Sequence, residues 1–308
     1  MEFVAPDTKL PLLQKDYETL RCQVSGVEYH RVDGVWRMIL PERMDRFERF
    51  IQEYETVRLA EGRQSDDPSF YRELPQTAAN HPAAQMWRQR AHSYSVFLEA
   101  VLKPLESDLS DLTILDLGAG NGWLSNRLAE RGHKVAAIDL TVNDFDGLGV
   151  CAAAYESDFV AVQAEFDHLP FEQNQFDLVI FNASFHYSAD YAQTLEEMKR
   201  VIKSNGQIGI IDTPVYAHQA SGQRMVQERE CLFEKQFGFK SDQLGSENFL
   251  TQIRIMALEN QVNMRCHSVQ TTPLYRQSIQ RVKTLIRGKR EPAQFPILVF
   301  TNDQALQV

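Results

Sequence analysis

The segment Ile114-Leu115-Asp116-Leu117-Gly118-Ala119-Gly120-Asn121-Gly122-Trp123 limits what this chain can fold into more than any other stretch of it. An apolar run ends in an acid, glycines follow at alternate positions, and a helical pattern starts at once. That order builds a strand, a sharp turn and a helix, with bare backbone passing close beneath a ligand. The spacing is G-x-G-x-G. A dinucleotide loop of the G-x-G-x-x-G kind needs its third glycine at position 123, which is Trp123. A pyrophosphate brought to this turn would be repelled by Asp116, whereas a positively charged ligand would be attracted to it.

From about Asp111 the pattern alternates between strands and helices, which predicts a parallel sheet with helices on both faces. The predicted strands are Thr113 to Leu117, Lys134 to Leu140, Phe159 to Gln163, Phe176 to Phe181 and Gln207 to Asp212, with helices at Trp123 to Arg131 and Tyr191 to Ile202. Nineteen positions beyond Gly120, the second strand ends at Asp139, where a carboxylate can accept both hydroxyls of a ribose. Alone, the glycines and this acid are also compatible with two tight turns. The third strand adds an acid and an aromatic, Glu165 and Phe166, suited to grip the amino group of an adenine and cover its ring. The fourth runs Phe176-Asp177-Leu178-Val179-Ile180-Phe181 and ends in Asn182-Ala183-Ser184-Phe185-His186. All these positions fall at carboxyl ends of parallel strands, where open α/β sheets bind ligands.

Motif by motif and in order, residues 113 to 214 resemble the class I S-adenosylmethionine-dependent methyltransferases, over about a third of the chain. Asp116 to Gly122 is similar to their first motif, Asp139 to their ribose-binding acid, and Glu165-Phe166 with Leu169-Pro170-Phe171 to their adenine-binding stretch. Phe176-Asp177-Leu178-Val179 resembles the strand on the acceptor side, and Glu197 to Gly206 the helix and turn before the fifth strand, with Ser-Asn-Gly where Pro-Gly-Gly is usual. The resemblance implies a Rossmann-like α/β sheet of seven strands, mostly parallel with the last antiparallel, and S-adenosyl-L-methionine as cofactor. The cofactor ligands it implies are Asp116, Gly118, Ala119, Gly120, Asp139, Leu140, Glu165, Phe166 and Asn182.

The chain divides on this reading into residues 1–40, a helical linker and cap over 41–105, and the catalytic domain over 106–308 with a basic insertion at about 271–294. The first forty residues read as short strands around an Asp33-Gly34 turn. Positions Ala5, Thr8, Cys22 and Ser25 have the spacing of two zinc-ribbon knuckles, yet Cys22 alone supplies a thiolate. The segment resembles a degenerate zinc ribbon. A metal-free remnant packed by Leu12, Leu20, Val32, Trp36 and Met38 is expected. Pro41 then opens a helix with Met44, Phe47, Ile51, Tyr54 and Val57 at helical spacing, residues 62 to 83 read as an ordered linker, and a second helix starts near Gln85. Arg88 and Arg90 on that helix read either as residues covering the site or, the commoner case, as plain surface charge. Near the carboxyl end, strands at about Val262 to Val269 and Phe295 to Thr301 resemble the family's sixth and seventh. The long connection between them carries Arg276, Arg281, Lys283, Arg287, Lys289 and Arg290 and reads either as a solvated helix face or as a lid for an anionic acceptor.

A net charge of -10 argues against a nucleic-acid substrate, which calls for a basic face. No stretch has the roughly 20 apolar residues of a membrane helix. Four scattered cysteines without a CxxC pair fit a reducing cytoplasm. The expected function is transfer of a methyl group to a small or medium metabolite, natural-product or sugar-linked and with an anionic group. The alternatives are an rRNA or tRNA methyltransferase and a non-catalytic cofactor-binding scaffold. If the acceptor must lose a proton, His186 past strand four is the candidate base; Asp212, Tyr216 and His218 are unranked further candidates.

Overall fold

In the computed structural model, which describes the chain apart from residues 110, 242, 274–283, 285–288 and 303–308, eleven strands form one sheet. The chain opens with an antiparallel meander of β1 (Leu12–Asp16), β2 (Thr19–Cys22), β3 (Glu28–Val32) and β4 (Val35–Arg37). Between the last two, Asp33 and Gly34 both take positive φ, 51° and 80°, as a two-residue hairpin turn of this hand requires. Helix α1 (Pro41–Ala60) starts on Pro41, whose missing N–H falls in the first turn where it is not needed. Within the expected linker lies a short helix, α2 (Pro68–Glu73). Asp67 caps it by accepting the Ser69 N–H at 2.9 Å, so the Asp-Pro pair starts a helix here instead of a turn. Next, α3 (Ala84–Phe97) passes through one wide π-type turn, Leu98–Leu102, into α4 (Lys103–Asp108).

The alternating core follows: β5 (Thr113–Leu117), α5 (Trp123–Ala129), β6 (Lys134–Asp139), α6 (Val150–Ala154), β7 (Val160–Gln163), β8 (Phe176–Asn182), α7 (Tyr191–Val201) and β9 (Ile202–Ile211). After it come β10 (Val215–Tyr216), α8 (Gln219–Phe237), β11 (Leu250–Thr251), α9 (Gln252–Val262), β12 (Met264–Val269) and β13 (Ile297–Asn302). The sheet order is β1-β2-β3-β4-β7-β6-β5-β8-β9-β13-β12, with β13 antiparallel to both its neighbours. The seven strands from β7 to β12 are the Rossmann-like class I arrangement that the sequence predicts.

Parallel strands covered on both faces need apolar side chains on both, and β5 and β8 are buried nearly throughout. Alternate residues feed opposite layers. Leu115, Leu117, Val179 and Phe181 join one apolar cluster, and Ile114, Leu178 and Ile180 join the other. The acid of the Phe-Asp pair is structural: Asp177 accepts the Thr113 N–H at 2.9 Å and holds Lys203 Nζ at 2.8 Å, fixing β8 against β5 and β9.

The amino-terminal meander is an appendage in sequence only. Its last strand pairs in parallel with β7, Val35 opposite Ala161 and Arg37 opposite Gln163, which makes it the continuation of the main sheet. Leu20 and Met38 are core and Leu12 and Trp36 pack against them, whereas Val32, expected inside, is exposed. The turns bearing the four expected knuckle positions face one another, with Thr8 Oγ1 3.9 Å from Cys22 Sγ. Among the described residues no group of three His, Cys, Asp or Glu could hold a metal, and no helix is long and apolar enough to cross a membrane.

Candidate active site

The loop from β5 to α5 is pinned to the tip of the neighbouring strand: the N–H groups of Gly118 and Ala119 both donate to the carbonyl of Ile138, at 2.8 and 2.9 Å. Gly118 takes φ of +71°, and a Cβ built on it would lie 2.2 Å from Cβ of Ser184. Only glycine fits there. Just before the loop, Asp116 is 1% exposed. Its Oδ2 accepts the Ser125 hydroxyl at 2.7 Å, while Oδ1 is buried with no partner. Burial pushes this carboxyl up to about 7; the Ser125 hydrogen bond opposes the rise and the charge of Asp139 adds to it. An unpartnered carboxylate oxygen in such a place is built for a cation.

Asp139, at the end of β6, is held on both oxygens: Oδ2 accepts the Gly120 N–H at 2.8 Å, and Oδ1 accepts the Thr141 N–H at 2.8 Å and its hydroxyl at 2.7 Å. Burial still raises its pKa. Lone pairs remain for a diol, because a carboxylate has about four acceptor positions. Beyond it, Asn143 Oδ1 accepts the N–H groups of Phe145, Asp146 and Gly147, which curls the chain and delivers Asp146 to the cleft. There Asp146 faces Arg58 Nε at 3.6 Å and accepts Asn121 Nδ2 at 3.1 Å.

Helix α1 closes the cleft from above. Arg46, Phe47, Phe50 and Tyr54 line a cavity of about 730 Å³, its open mouth included, with Gly118, Asp139, Leu140, Glu165, Phe166 and Asp167. Phe50 and Tyr54 meet Tyr187 edge-on, with ring centroids 5.9 and 6.0 Å away. A second cavity of about 420 Å³ shares Gly118, Tyr54 and Ala183 with the first and is lined by Asp116, Ala119, Gly120 and Asn182 with Arg58, Arg63 and Arg90. The structure therefore gathers every expected cofactor ligand into two adjoining cavities. One pole is aromatic and acidic; the other holds an unpartnered carboxylate oxygen in a cavity that three arginines also line. A ring and diol suit the first pole and an amino acid's ammonium and carboxylate the second.

Glu165 does not stand free in its cavity. Arg43 of α1 grips both its oxygens, Nε at 2.5 Å and Nη2 at 2.7 Å, and this pairing raises the Arg43 pKa. His186 lies packed with its ring centroid 4.4 Å from that of Tyr187, and its Nδ1 has no partner. Burial first, then the charges of Arg229, Arg58 and Arg90, depress its pKa to about 3. It is neutral at pH 7, with little affinity for the proton a general base must take. Arg90, read from sequence as surface charge, instead lines the cleft, 5.0 Å over the Trp87 ring, with its pKa lowered by burial. The Arg58 and Arg90 contributions were invisible to motif reading. The one available signal was an aromatic row, Phe47, Phe50 and Tyr54, that runs on into Arg58. Of the basic connection, Arg276, Arg281, Lys283 and Arg287 lie outside the described residues; Arg290 pairs with Glu228 at 2.8 Å and bonds Tyr216 Oη at 2.9 Å.

A methyltransferase-domain family model matches residues 115–210. An uncharacterised methyltransferase of Mycobacterium bovis is 30% identical over 203 residues, covering 63% of this chain and 78% of that protein. Malonyl-[acyl-carrier protein] O-methyltransferase 1 of Coxiella burnetii is 34% identical over 98 residues, 32% of each chain. Among solved structures, an arsenic(III) S-adenosylmethionine methyltransferase of Chlamydomonas reinhardtii superposes with a TM-score of 0.42 at 21% identity, over 64% of this chain and 65% of that one. The glycine turn, the acid at each strand tip and the shared length with the mycobacterial relative converge on one conclusion: this chain belongs to the class I methyltransferases, enzymes that take their methyl group from S-adenosylmethionine.

Proposed function

We propose that this protein methylates a small metabolite that carries an acidic group, in the cytoplasm, with the cofactor held by Asp116, Gly118, Ala119, Gly120, Asp139, Leu140, Phe166 and Asn182. The observation that carries this reading is Arg90, which lines the cavity beside Asp116 and also the neighbouring one that holds Asp212, outside the pole suited to the cofactor's own carboxylate. Arg58 and Arg63 are partly neutralised by Glu61 and Asp146, whereas among the described residues no hydrogen bond or ion pair holds the Arg90 guanidinium. Charge of this kind lining a cleft attracts small anions. The malonyl carrier named for the Coxiella relative is an acidic acceptor too. When bound, S-adenosylmethionine supplies a methyl carbon activated by its sulfonium, which passes in line to a nucleophile as the carbon–sulfur electron pair goes to sulfur. The chain's own part is to orient: Asp116 takes the ammonium, Asp139 the ribose hydroxyls, and α1 excludes water. Glu165 serves here to anchor α1 through Arg43, leaving Asp167 and the Phe166 backbone to meet the adenine. The amino-terminal meander, with Thr8 against Cys22 where a ribbon sets thiolates, is read as a metal-free relic of a zinc ribbon.

Two measurements test this. Calorimetry with S-adenosylhomocysteine should show one saturable site. Label from methyl-tritiated S-adenosylmethionine should appear in the low-mass fraction of a cell extract and not in its RNA. Absence of S-adenosylhomocysteine binding overturns the cofactor assignment, binding without any labelling favours the scaffold, and label in RNA overturns the small-acceptor reading.

A further inference from the structure

A third cavity, of about 910 Å³ to its mouth, lies beyond the cofactor cleft and shares Ala183 and Arg90 with it. Its floor is the ends of two adjacent strands, Ala183 after β8 and Asp212 after β9. Both residues take the left-handed conformation, φ of +57° and +53°, which side chains other than glycine adopt seldom. Its wall is one face of α3, with Met86, Gln89 and Arg90.

The two charged groups in this cavity are each only half committed. Asp212 is 7% exposed. Ser93, one turn along α3 from Arg90, donates to its Oδ1 at 2.7 Å, and its Oδ2 is buried with no partner. Arg90 has its guanidinium on the face of Trp87 at 5.0 Å and, among the described residues, makes no hydrogen bond or ion pair. They are near enough to influence one another electrostatically without being joined. A buried carboxylate oxygen and a half-buried guanidinium, neither joined to a hydrogen-bonding partner among the described residues and both in one cavity, constitute a receptor for a molecule bearing the two complementary groups.

We infer that this cavity is the acceptor site, and that it takes a small bifunctional molecule whose carboxylate meets Arg90 and whose proton-bearing nucleophile, a hydroxyl or an ammonium, meets Oδ2 of Asp212. The inference rests on the methyl-transfer reading and adds the acceptor's class. In the transfer, an ammonium would first give a proton to Oδ2 of Asp212 to free its lone pair, whereas a hydroxyl would give up its proton to the same oxygen as it attacks; in both, the new bond to the methyl carbon would form as the carbon–sulfur bond breaks with its electron pair going to sulfur. Ser93 fixes the carboxylate so that the free oxygen points inward, which makes it a positioning residue.

The test is binding to the full chain saturated with S-adenosylhomocysteine. The probes are glycine, glycolate and 4-hydroxybenzoate, each against controls lacking one group: methylamine and acetate for the first, acetate for the second, phenol and benzoate for the third. At least one bifunctional probe should bind tenfold or more tightly than its controls. Asp212→Asn and Arg90→Gln should each remove about tenfold of that affinity, with S-adenosylhomocysteine binding to Asp212→Asn within threefold of wild type. If no bifunctional probe exceeds its controls by threefold in the wild type, or if Asp212→Asn binds it as well as wild type, the inference is overturned. Failure of S-adenosylhomocysteine itself to bind would instead remove the methyl-transfer reading beneath it.

Discussion

Replacing Asp116 by Asn should stabilise the empty protein and cripple its grip on the cofactor. Burial lifts this carboxyl from the ordinary 3.8 to about 7, which amounts to a penalty on the order of 4 kcal/mol for holding it charged in the fold. The raised value means that the neutral form is the stable one inside. The penalty is therefore absent below about pH 4, grows between 4 and 7, and is complete above 7, so the unliganded wild type loses stability across that window. Asn carries no such charge. It keeps the Ser125 bond through its carbonyl oxygen but leaves its amide unsatisfied, at a cost of about 1–3 kcal/mol. The balance at pH 8 favours the variant by about 1–3 kcal/mol, and at pH 5 the gain should vanish. Binding moves the other way, since loss of a charged partner for the ligand's ammonium weakens it by about 10- to 100-fold. Denaturant melts at the two pH values, paired with calorimetry on S-adenosylhomocysteine, read both effects. A variant that is less stable than wild type at pH 8 without ligand, or that binds within threefold of it, would refute the reasoning.

Three further expectations are independent of that carboxylate. Gly118→Ala forces a Cβ to 2.2 Å from Cβ of Ser184 and should lose about 1–3 kcal/mol of stability together with cofactor binding. Adding Ser184→Gly should restore part of the melting temperature; no recovery would point away from the clash. Asn143→Ala removes the acceptor of three backbone N–H groups and frees the loop carrying Asp146, so S-adenosylhomocysteine affinity should fall about tenfold with the melt lowered by only a few degrees. His186, neutral with its pKa near 3 against an ordinary 6.5, contributes stability that drains away as pH falls from 6.5 towards 3. His186→Gln should flatten the acid limb of the stability curve there, and a variant limb as steep as wild type would show that another group governs it.

Local order was readable and long-range pairing was not. The glycine turn, Asp139 and the strands of the core followed from spacing, because each is fixed within about ten residues by backbone sterics and alternation. The cleft's other half comes from elements far away in sequence. Arg43 reaches Glu165 across 122 positions and Ser93 reaches Asp212 across 119, and no periodicity announces either contact. The same holds for Arg90, which on a helical wheel looks like any surface arginine until the sheet is placed beneath it. The face of α1 was misjudged for a related reason. Phe50 and Arg58 are buried and Ile51 only half so, because the helix covers a polar cleft as well as apolar core. Glu165 was read for its chemistry without the cation that occupies it.

The parallel seam between β4 and β7 has a mechanical consequence. Met38 donates its N–H to Gln163 at 2.9 Å, three residues before α1 starts, and the Gln163 side chain donates to Leu140 at 2.8 Å on the rim of the cofactor cavity. The helix that roofs the cavity is thus stitched at its root to the floor it covers. Its far end is tied in turn to the loop after β6, Glu55 accepting Asn143 Nδ2 at 2.7 Å and Arg58 facing Asp146 at 3.6 Å. A chain shortened to begin after residue 40 would forfeit the stitch at the root and bare the edge of β7, inviting adhesion between molecules as well as a leaking roof.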